Sequence, residues 1–425
     1  MKKVMLKTTL SLAVAMASSQ LFASGFALNE QSVSGMGTGF AGRSSSADDA
    51  STVFGNPAGM ARLEGQQITG GVAAIDASTD ISDVSGRSRG SNKGDMVPFT
   101  AVPFGFYTNK LNDQWAVGFG VYAPFGLVTD YESGFQGRGF GSKSEVKVIT
   151  FQPTVSYAFN DRVSVGFGPT INRIAGTLES DLTLNARAPD TNIKIKGDDT
   201  ALGFNIGVLV QATDTTRVGL TYHSKVSYKL DGHTEVTAPA ATAAALRSNR
   251  YDASLKIDTP ESYDLSVTQD LTDAWKLYAG ATWTRWSRLK DITVKNDGVS
   301  GATGGALAPA LVGTIKEDQN WHDTWAYAVG TSYQLTKQVV LRTGLTFDQS
   351  PTNNTDRSPR IPTGDRTIFS LGLGYEVMPN MTVDLAYSYL KEEDVKVSRS
   401  NALASYNAKY ENSANGFGLG MTYRF

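Results

Sequence analysis

The last ten residues of the chain, Gly416–Phe425, alternate strictly between large apolar side chains and small or polar ones. Successive side chains of a β-strand point to opposite faces, so this run predicts a strand with one wholly apolar face. An apolar face of this length that is backed by a polar one is typical of a strand that crosses a membrane. The end of the chain therefore limits which folds the rest can adopt.

The same alternation recurs upstream, in 149–159, 202–211, 369–377 and 383–389. After the first 23 residues, no apolar stretch reaches the roughly 18 residues of a membrane-spanning helix. The chain is only 40% hydrophobic, but half of each strand in a membrane barrel faces a polar lumen. Its 6 Trp, 17 Tyr and 19 Phe fit aromatic girdles. The pattern predicts an all-β fold, a transmembrane antiparallel β-barrel.

Short polar turns give the strand count. Six of them separate alternating runs: Asn112-Asp113, Asn160-Asp161, Thr213-Asp214-Thr215, Thr272-Asp273, Thr336-Lys337 and Pro379-Asn380. They join twelve strands in pairs, and a first strand near Gln66–Thr79 and the terminal strand raise the number to about fourteen. Longer polar stretches are expected to be extracellular loops: 80–95, 130–142, 180–199, 232–254, 290–320 and 351–365. Within them, the Ala-rich run Pro239–Arg247 predicts a short helix.

The start of the chain has the pattern of a secretory signal peptide. Lys2, Lys3 and Lys7 precede a short apolar run, and Ala23 offers a small residue before a cleavage site. We expect residues 1–23 to be removed. The chain has no cysteine, which excludes a lipid anchor on cysteine, a disulfide and a cysteine metal site. The net charge of −2 argues against a nucleic-acid partner.

Residues 24–64 show no sustained alternation and are rich in Gly and Ser. They are too few to build a core of their own, whereas a barrel of about fourteen strands has a lumen too wide for wall side chains to fill. We therefore expect an N-terminal hatch, a plug folded inside the lumen, followed by the barrel over residues 65–425. A disordered tail is the alternative.

Several motifs carry a specific resemblance. They are Gly25-Phe26-Ala27-Leu28-Asn29-Glu30, Ala47-Asp48-Asp49-Ala50, Asn56-Pro57-Ala58, Phe347-Asp348-Gln349-Ser350-Pro351, Arg360-Ile361-Pro362, Asp365-Arg366 and the terminal Phe425. In this order the chain resembles the FadL family of outer-membrane transporters for long-chain fatty acids and hydrocarbons. The resemblance implies a fourteen-stranded barrel with an N-terminal hatch. It also implies transport without an energy source.

The resemblance further implies a gate. Asn56, Pro57 and Ala58 match the hatch motif, and the third strand, near Trp115–Leu127, is expected to kink inward and leave a gap in the wall. That strand contains Pro124 and Gly126. Proline lacks a backbone donor and glycine is flexible, so a local break in pairing is physically reasonable there. An ordinary strand end for Pro124 and Gly126, and a generic turn for Asn56-Pro57, are the alternatives.

Ligand-binding residues are implied at two places. Phe26 matches the hatch Phe near the internal pocket. A buried carboxylate needs a cation or several donors. The chain has Trp321-His322-Asp323 where fatty-acid members have Lys, and Leu178-Glu179-Ser180 where they have Arg. We expect His322, Lys316 or Arg360 to substitute, in an otherwise uncharged neighbourhood of Ser180. A loop histidine without a ligand role is the alternative for His322.

The resulting expectation is a passive transporter in the outer membrane of a Gram-negative cell. Ligand would be captured between loops, held in an internal pocket and released sideways through the wall. Its partners would be hydrophobic small molecules, outer-membrane lipid and lipopolysaccharide, and it would act as a monomer without cofactor or metal. Alternatives are a transporter of neutral hydrocarbons or monoaromatics, and a general porin. The chain has three histidines, His223, His233 and His322, and the sequence places no nucleophile beside them, so no enzyme is expected.

Overall fold

The structure is a computed structural model that describes residues 25–185, 187–246, 248–299, 305 and 307–425. The predicted signal peptide, residues 1–23, lies outside the described residues. No helix in the described part of the chain has the length and apolar character needed to cross a membrane.

Nineteen strand segments in the described residues join in one sheet. They are β1 (Gln66–Gly86), β2 (Thr100–Lys110), β3 (Trp115–Asp130), β4 (Lys143–Asn160), β5 (Val163–Leu182), β6 (Thr191–Gln211), β7 (Thr216–His223), β8 (Val226–Thr237), β9 (Arg250–Thr259), β10 (Ser262–Asp270), β11 (Trp275–Thr284), β12 (Asp291–Asn296), β13 (Thr314–Asp318), β14 (Thr324–Gln334), β15 (Val339–Asp348), β16 (Arg366–Met378), β17 (Met381–Glu392), β18 (Val395–Ser400) and β19 (Ser405–Arg424). The α-helices are α1 (Val33–Gly37), α2 (Thr52–Gly55), α3 (Ala240–Leu246) and α4 (Ala308–Val312). Two 3-10 helices cover Pro57–Arg62 and Trp286–Arg288.

The sheet closes on itself as a barrel of fourteen wall strands. Five wall strands are interrupted and appear as the pairs β7/β8, β9/β10, β11/β12, β13/β14 and β17/β18. β1 pairs with β19 from Gln67 opposite Arg424 to Gly86 opposite Tyr406, and this ladder closes the barrel. Neighbouring wall strands are antiparallel throughout the described ladders. The predicted all-β class and strand count are confirmed.

The six predicted short turns each join two strands at the same end of the barrel. The predicted loops at the other end are too long in four cases. β5 continues to Leu182 and β6 begins at Thr191, so most of 180–199 is strand, and 80–95, 232–254 and 290–320 also contain strand residues. Outside a bilayer the outer face of a strand can be polar, which hides the alternation in these extensions. The Ala-rich helix is present as α3.

The wall has an apolar outside, and its inside carries small and polar residues beside the aliphatic residues of the core clusters. In β16, Phe369 and Leu371 are 47% and 46% exposed on the outside, whereas Ser370 between them is 1% exposed. Aromatic rings form a row on the outer face, with Tyr222 and Tyr263 packed at a centroid distance of 4.8 Å. This is the distribution that a barrel in a bilayer needs.

Residues 25–64 lie within the ring of strands. Helix α1 packs against β16 and β17, and the 3-10 helix Pro57–Arg62 packs against β4, β5 and β6. Several contacts are so close that only glycine fits on the wall. A methyl group on Gly207 would lie 1.9 Å from Asn56 Oδ1, and one on Gly344 would lie 2.2 Å from the Thr38 backbone. The segment thus contacts wall backbone directly, without intervening wall side chains.

Candidate functional site

An apolar cavity of about 830 Å³, including its open mouth, lies inside the barrel. Inward-facing aliphatic side chains of several strands line it, among them Val146, Ile174, Ile195, Leu230, Leu255, Ile257 and Val294. Phe26 lines it from the N-terminal segment, and Arg360 from the loop between β15 and β16. Its apolar lining is that of a site for a hydrophobic small molecule.

Phe26 is the centre of an aromatic cluster. It is 3% exposed and lies 5.0 Å from Trp286, 5.6 Å from Phe125 and 6.0 Å from Trp321, measured between ring centroids. Trp286 and Trp321 come from the interruptions between β11 and β12 and between β13 and β14. The interruptions let these two large side chains pack inside the barrel against Phe26.

The third strand, β3, is irregular at the predicted place. Its register against β4 shifts between Tyr122 and Phe125, around Pro124, and β3 then continues to Asp130. An ordinary strand end at Pro124 is therefore excluded. β2 pairs with β3 only from Gly105 to Lys110, opposite Val121 to Ala116. Beyond Val121, β2 no longer covers the edge of β3.

The N-terminal segment pairs with β3 where β2 does not. Ala27 and Phe125 form an antiparallel bridge. The Leu28 amide donates to the Pro124 carbonyl at 2.8 Å, and the Gly126 amide donates to the Phe26 carbonyl at 2.9 Å. The structure thus brings Phe26, Pro124 and Gly126 together in one short piece of sheet. We call the segment Phe26–Leu28, as it pairs with β3, the N-terminal bridge. It covers the unpaired edge of the wall.

Arg360 is buried beside the cavity. Its Nη1 donates to Ser144 Oγ at 2.8 Å and to the Lys143 carbonyl at 2.9 Å, and its Nη2 donates to Ser180 Oγ at 2.7 Å. Its Nε forms an ion pair with Glu317 at 3.1 Å. The sequence predicted an uncharged neighbourhood around Ser180. This expectation is wrong, because a distant loop delivers a guanidinium to that position.

Lys316 and His322 lie outside the cavity. Lys316 is exposed and pairs with Asp318 at 2.7 Å, because alternation along β13 directs its neighbour Glu317 inward instead. The His322 side chain is exposed, and Trp321 is the buried residue of that interruption. The expectation that these two residues lie at the internal pocket is corrected accordingly.

Asn56, Pro57 and Ala58 lie against β4–β6 and not at the β3 irregularity. Asn56 Oδ1 accepts from the Ala58 amide at 3.0 Å, and Asn56 Nδ2 donates to the Val208 carbonyl of β6 at 3.0 Å. The Ala58 carbonyl accepts from Ser164 Oγ of β5 at 2.9 Å. The motif therefore fixes the segment to the wall. Its predicted role in gating stays a prediction.

Ser144 and Glu317, which hold Arg360, were missed by sequence reasoning. Both lie on strands that extend beyond the recognisable apolar alternation, so no sequence signal pointed to them. Among the described residues, no group of three or more His, Asp or Glu side chains is arranged to hold a metal ion.

A closed barrel of fourteen antiparallel strands, apolar outside and filled inside, defines a membrane β-barrel, and this one contains an apolar internal cavity. More specifically, the chain belongs to the family described as outer membrane protein transport protein (OMPP1/FadL/TodX), which matches residues 14–425. It is an outer-membrane protein of a transport family.

Individual relatives agree with the family. The chain is 29% identical over 461 residues to a long-chain fatty acid transport protein of Escherichia coli O6:H1, covering 100% of this chain and 99% of that protein. A crystal structure of a Pseudomonas aeruginosa FadL homologue matches with a TM-score of 0.86 at 27% identity, covering 95% of this chain and 100% of the other. The Ralstonia pickettii toluene transporter TbuX has a TM-score of 0.66 at 18% identity, covering 88% and 94%, and shares the fold.

Proposed function

We propose that this protein is a passive outer-membrane transporter of hydrophobic compounds, and that long-chain fatty acids are its main ligands. The observation that carries the proposal is the apolar cavity with one buried guanidinium at its edge. Aliphatic walls bind a hydrocarbon chain, and Arg360 with the Ser144 and Ser180 hydroxyls offers donors to a carboxylate. The relatives named as fatty acid transporters support the same ligand class.

Arg360 can donate one more hydrogen bond to a ligand. A guanidinium has five N–H donors, and four of them have partners among the described residues. An incoming carboxylate can use the remaining Nη2 donor or displace Glu317 from Nε. Phe26 and its aromatic neighbours would contact the ligand chain at the side of the N-terminal bridge.

The route would follow the three stages expected of the family. Ligand is captured between the extracellular loops, enters the apolar cavity, and leaves sideways where β3 loses its pairing with β2. Because the N-terminal bridge covers that edge, Phe26–Leu28 must leave β3 before ligand can pass Pro124 and Gly126. Asn56, Pro57 and Ala58 would keep the rest of the hatch in place during this step.

The remaining assignments belong to the same proposal. Residues 1–23 are the signal peptide, 24–64 the hatch and 65–425 the barrel. The protein acts as a monomer, contacts lipopolysaccharide with its outer face, and catalyses no reaction. Transport of neutral hydrocarbons is the second candidate function, favoured by the Glu317 carboxylate that neutralises Arg360. A general porin is disfavoured because residues 25–64 occupy the lumen.

Replacing Arg360 tests the ligand class. Arg360→Met should weaken palmitate binding to the purified protein about tenfold, the loss expected for a charged hydrogen bond, and leave hexadecanol binding unchanged. Lys316→Met is the matched control, since Lys316 is exposed outside the cavity. Titration calorimetry with both ligands measures this. Equal losses for palmitate and hexadecanol, or none for either, would refute the assignment of Arg360.

A further inference from the structure

A second cavity lies on the other side of the N-terminal bridge from the apolar one. Its volume, including its open mouth, is about 690 Å³, and it is lined by Ala27 and Leu28 of the bridge and by Pro124 and Phe125 of β3. We call it the kink-side cavity. Phe26 lines the apolar cavity and Ala27 lines this one, so the bridge separates the two.

The kink-side cavity has the lining of an anion site. Arg43 is its one Arg or Lys, and no Asp or Glu belongs to its described lining. The other polar groups are hydroxyls, amides and one histidine, including Thr150, Thr282 and Asn172. A lining with a guanidinium and no carboxylate favours an anionic group over a cationic one.

Arg43 itself forms no close ion pair among the described residues, although it also lines a neighbouring cavity with Glu30, Asp264 and Asp348. Its Nη2 donates to Asn29 Oδ1 at 2.7 Å, and the guanidinium lies 5.3 Å from the Phe40 ring centroid. Its Nε is buried and has no hydrogen-bond partner in the described part of the chain. No carboxylate of the described residues lies within 4.0 Å of it, whereas Arg342 and Arg366 are paired with Asp384 at 2.6 Å and Glu392 at 2.8 Å.

We propose that Arg43 forms a second carboxylate subsite, which receives the head group of an amphiphile after it has left Arg360 and before it passes β3. The proposal rests on the proposed function and deepens it. A carboxylate that moves from the apolar cavity to the wall without a partner would be strongly disfavoured in this enclosed space. Arg43 provides a partner on the far side of the N-terminal bridge, between the first site and the exit.

Ligand binding in the apolar cavity and ligand passage past β3 can be measured separately, because Arg43 does not line the apolar cavity. Arg43→Gln should slow palmitate uptake about tenfold, the effect of losing a charged hydrogen bond. It should leave hexadecanol uptake and the equilibrium affinity of the Arg360 site for palmitate unchanged. Arg43→Lys keeps the charge and should restore part of the palmitate rate. Uptake is measured in cells that lack other long-chain transporters, with surface abundance matched by immunoblot.

Two results would overturn the proposal. Equal slowing of palmitate and hexadecanol would show that Arg43 only positions the hatch through Asn29 and Phe40. Unchanged palmitate uptake would show that no head group visits Arg43. If the wild-type chain carried hexadecanol but not palmitate, the fatty-acid assignment would fail as well, and the Arg360→Met binding experiment identifies that case independently.

Discussion

At the scale of single residues, the sequence motifs predicted which residues belong to the candidate site better than they predicted where those residues lie. Pro124 and Gly126 were predicted as parts of a gate and Phe26 as a ligand-binding residue, and all three meet in the N-terminal bridge. Arg360 was one of three proposed cations, and it alone lines the apolar cavity. The sequence could not distinguish among these three cations, because the alternation of side chains cannot be followed through the interruption after β13. A shift of the strand register by one residue would place Lys316 instead of Glu317 on the inner face.

Wall glycines that receive the hatch should tolerate no side chain. Gly207→Ala would place a methyl group 1.9 Å from Asn56 Oδ1, and such overpacking costs about 1–3 kcal/mol. The Asn56 contact with Val208 should break, so ion conductance in planar bilayers should rise as the hatch loosens. Gly105→Ala is the matched control, since its new methyl group would meet nothing within 4 Å. Equal conductance of the two variants would show that these glycines do not seat the hatch.

At the scale of elements, the short turns were the most informative signal. All six joined the strands they were expected to join, since a tight polar turn between two alternating runs leaves little choice of topology. The predicted loops were wrong where β1, β5, β6 and β8 extend beyond the apolar belt. There the outer face carries residues such as Lys194 and Lys229, so polarity no longer distinguishes strand from loop.

The N-terminal bridge should loosen as pH rises. Glu30 follows it in the hatch, outside the membrane-spanning strands, and burial raises the pKa of its carboxyl to about 7, although the cations Arg43 and Arg366 oppose the shift. A raised pKa means that the folded hatch favours the neutral form. Its stabilisation is complete at low pH and lost as pH increases through about 7.

Hydrogen exchange can measure this effect. The Leu28 and Gly126 amides, corrected for intrinsic rates, should exchange faster at about pH 8 than at about pH 6. Glu30→Gln should abolish the difference, whereas Glu64→Gln should keep it, because Glu64 is exposed and pairs with Lys110. A pH dependence that survives in Glu30→Gln would assign the effect to another group.

At the scale of the whole molecule, the lumen of the barrel is filled and the proposed route for ligand leads sideways through the wall. The ring of fourteen strands is continuous except where β2 leaves the edge of β3, and the N-terminal bridge covers that edge. The apolar cavity and the kink-side cavity lie on the two sides of this bridge. In the proposed route, transport depends on whether Phe26–Leu28 can leave β3.

Locking the bridge tests this claim directly. Ala27 and Phe125 form a non-hydrogen-bonded antiparallel pair, since the hydrogen bonds join their neighbours, and such pairs have Cα atoms about 4.5 Å apart. That spacing suits a disulfide, and the chain contains no cysteine to compete. The double variant Ala27→Cys/Phe125→Cys can therefore be locked by oxidation and released by a reductant. Phe125→Cys alone controls for the lost ring.

Palmitate uptake by cells that carry the double variant is the decisive measurement. The account predicts uptake no higher than in cells without the protein when the disulfide is formed, and recovery to the rate of Phe125→Cys after reduction. Undiminished uptake with the cross-link shown to be complete would contradict it, because ligand would then cross the barrel without moving the N-terminal bridge.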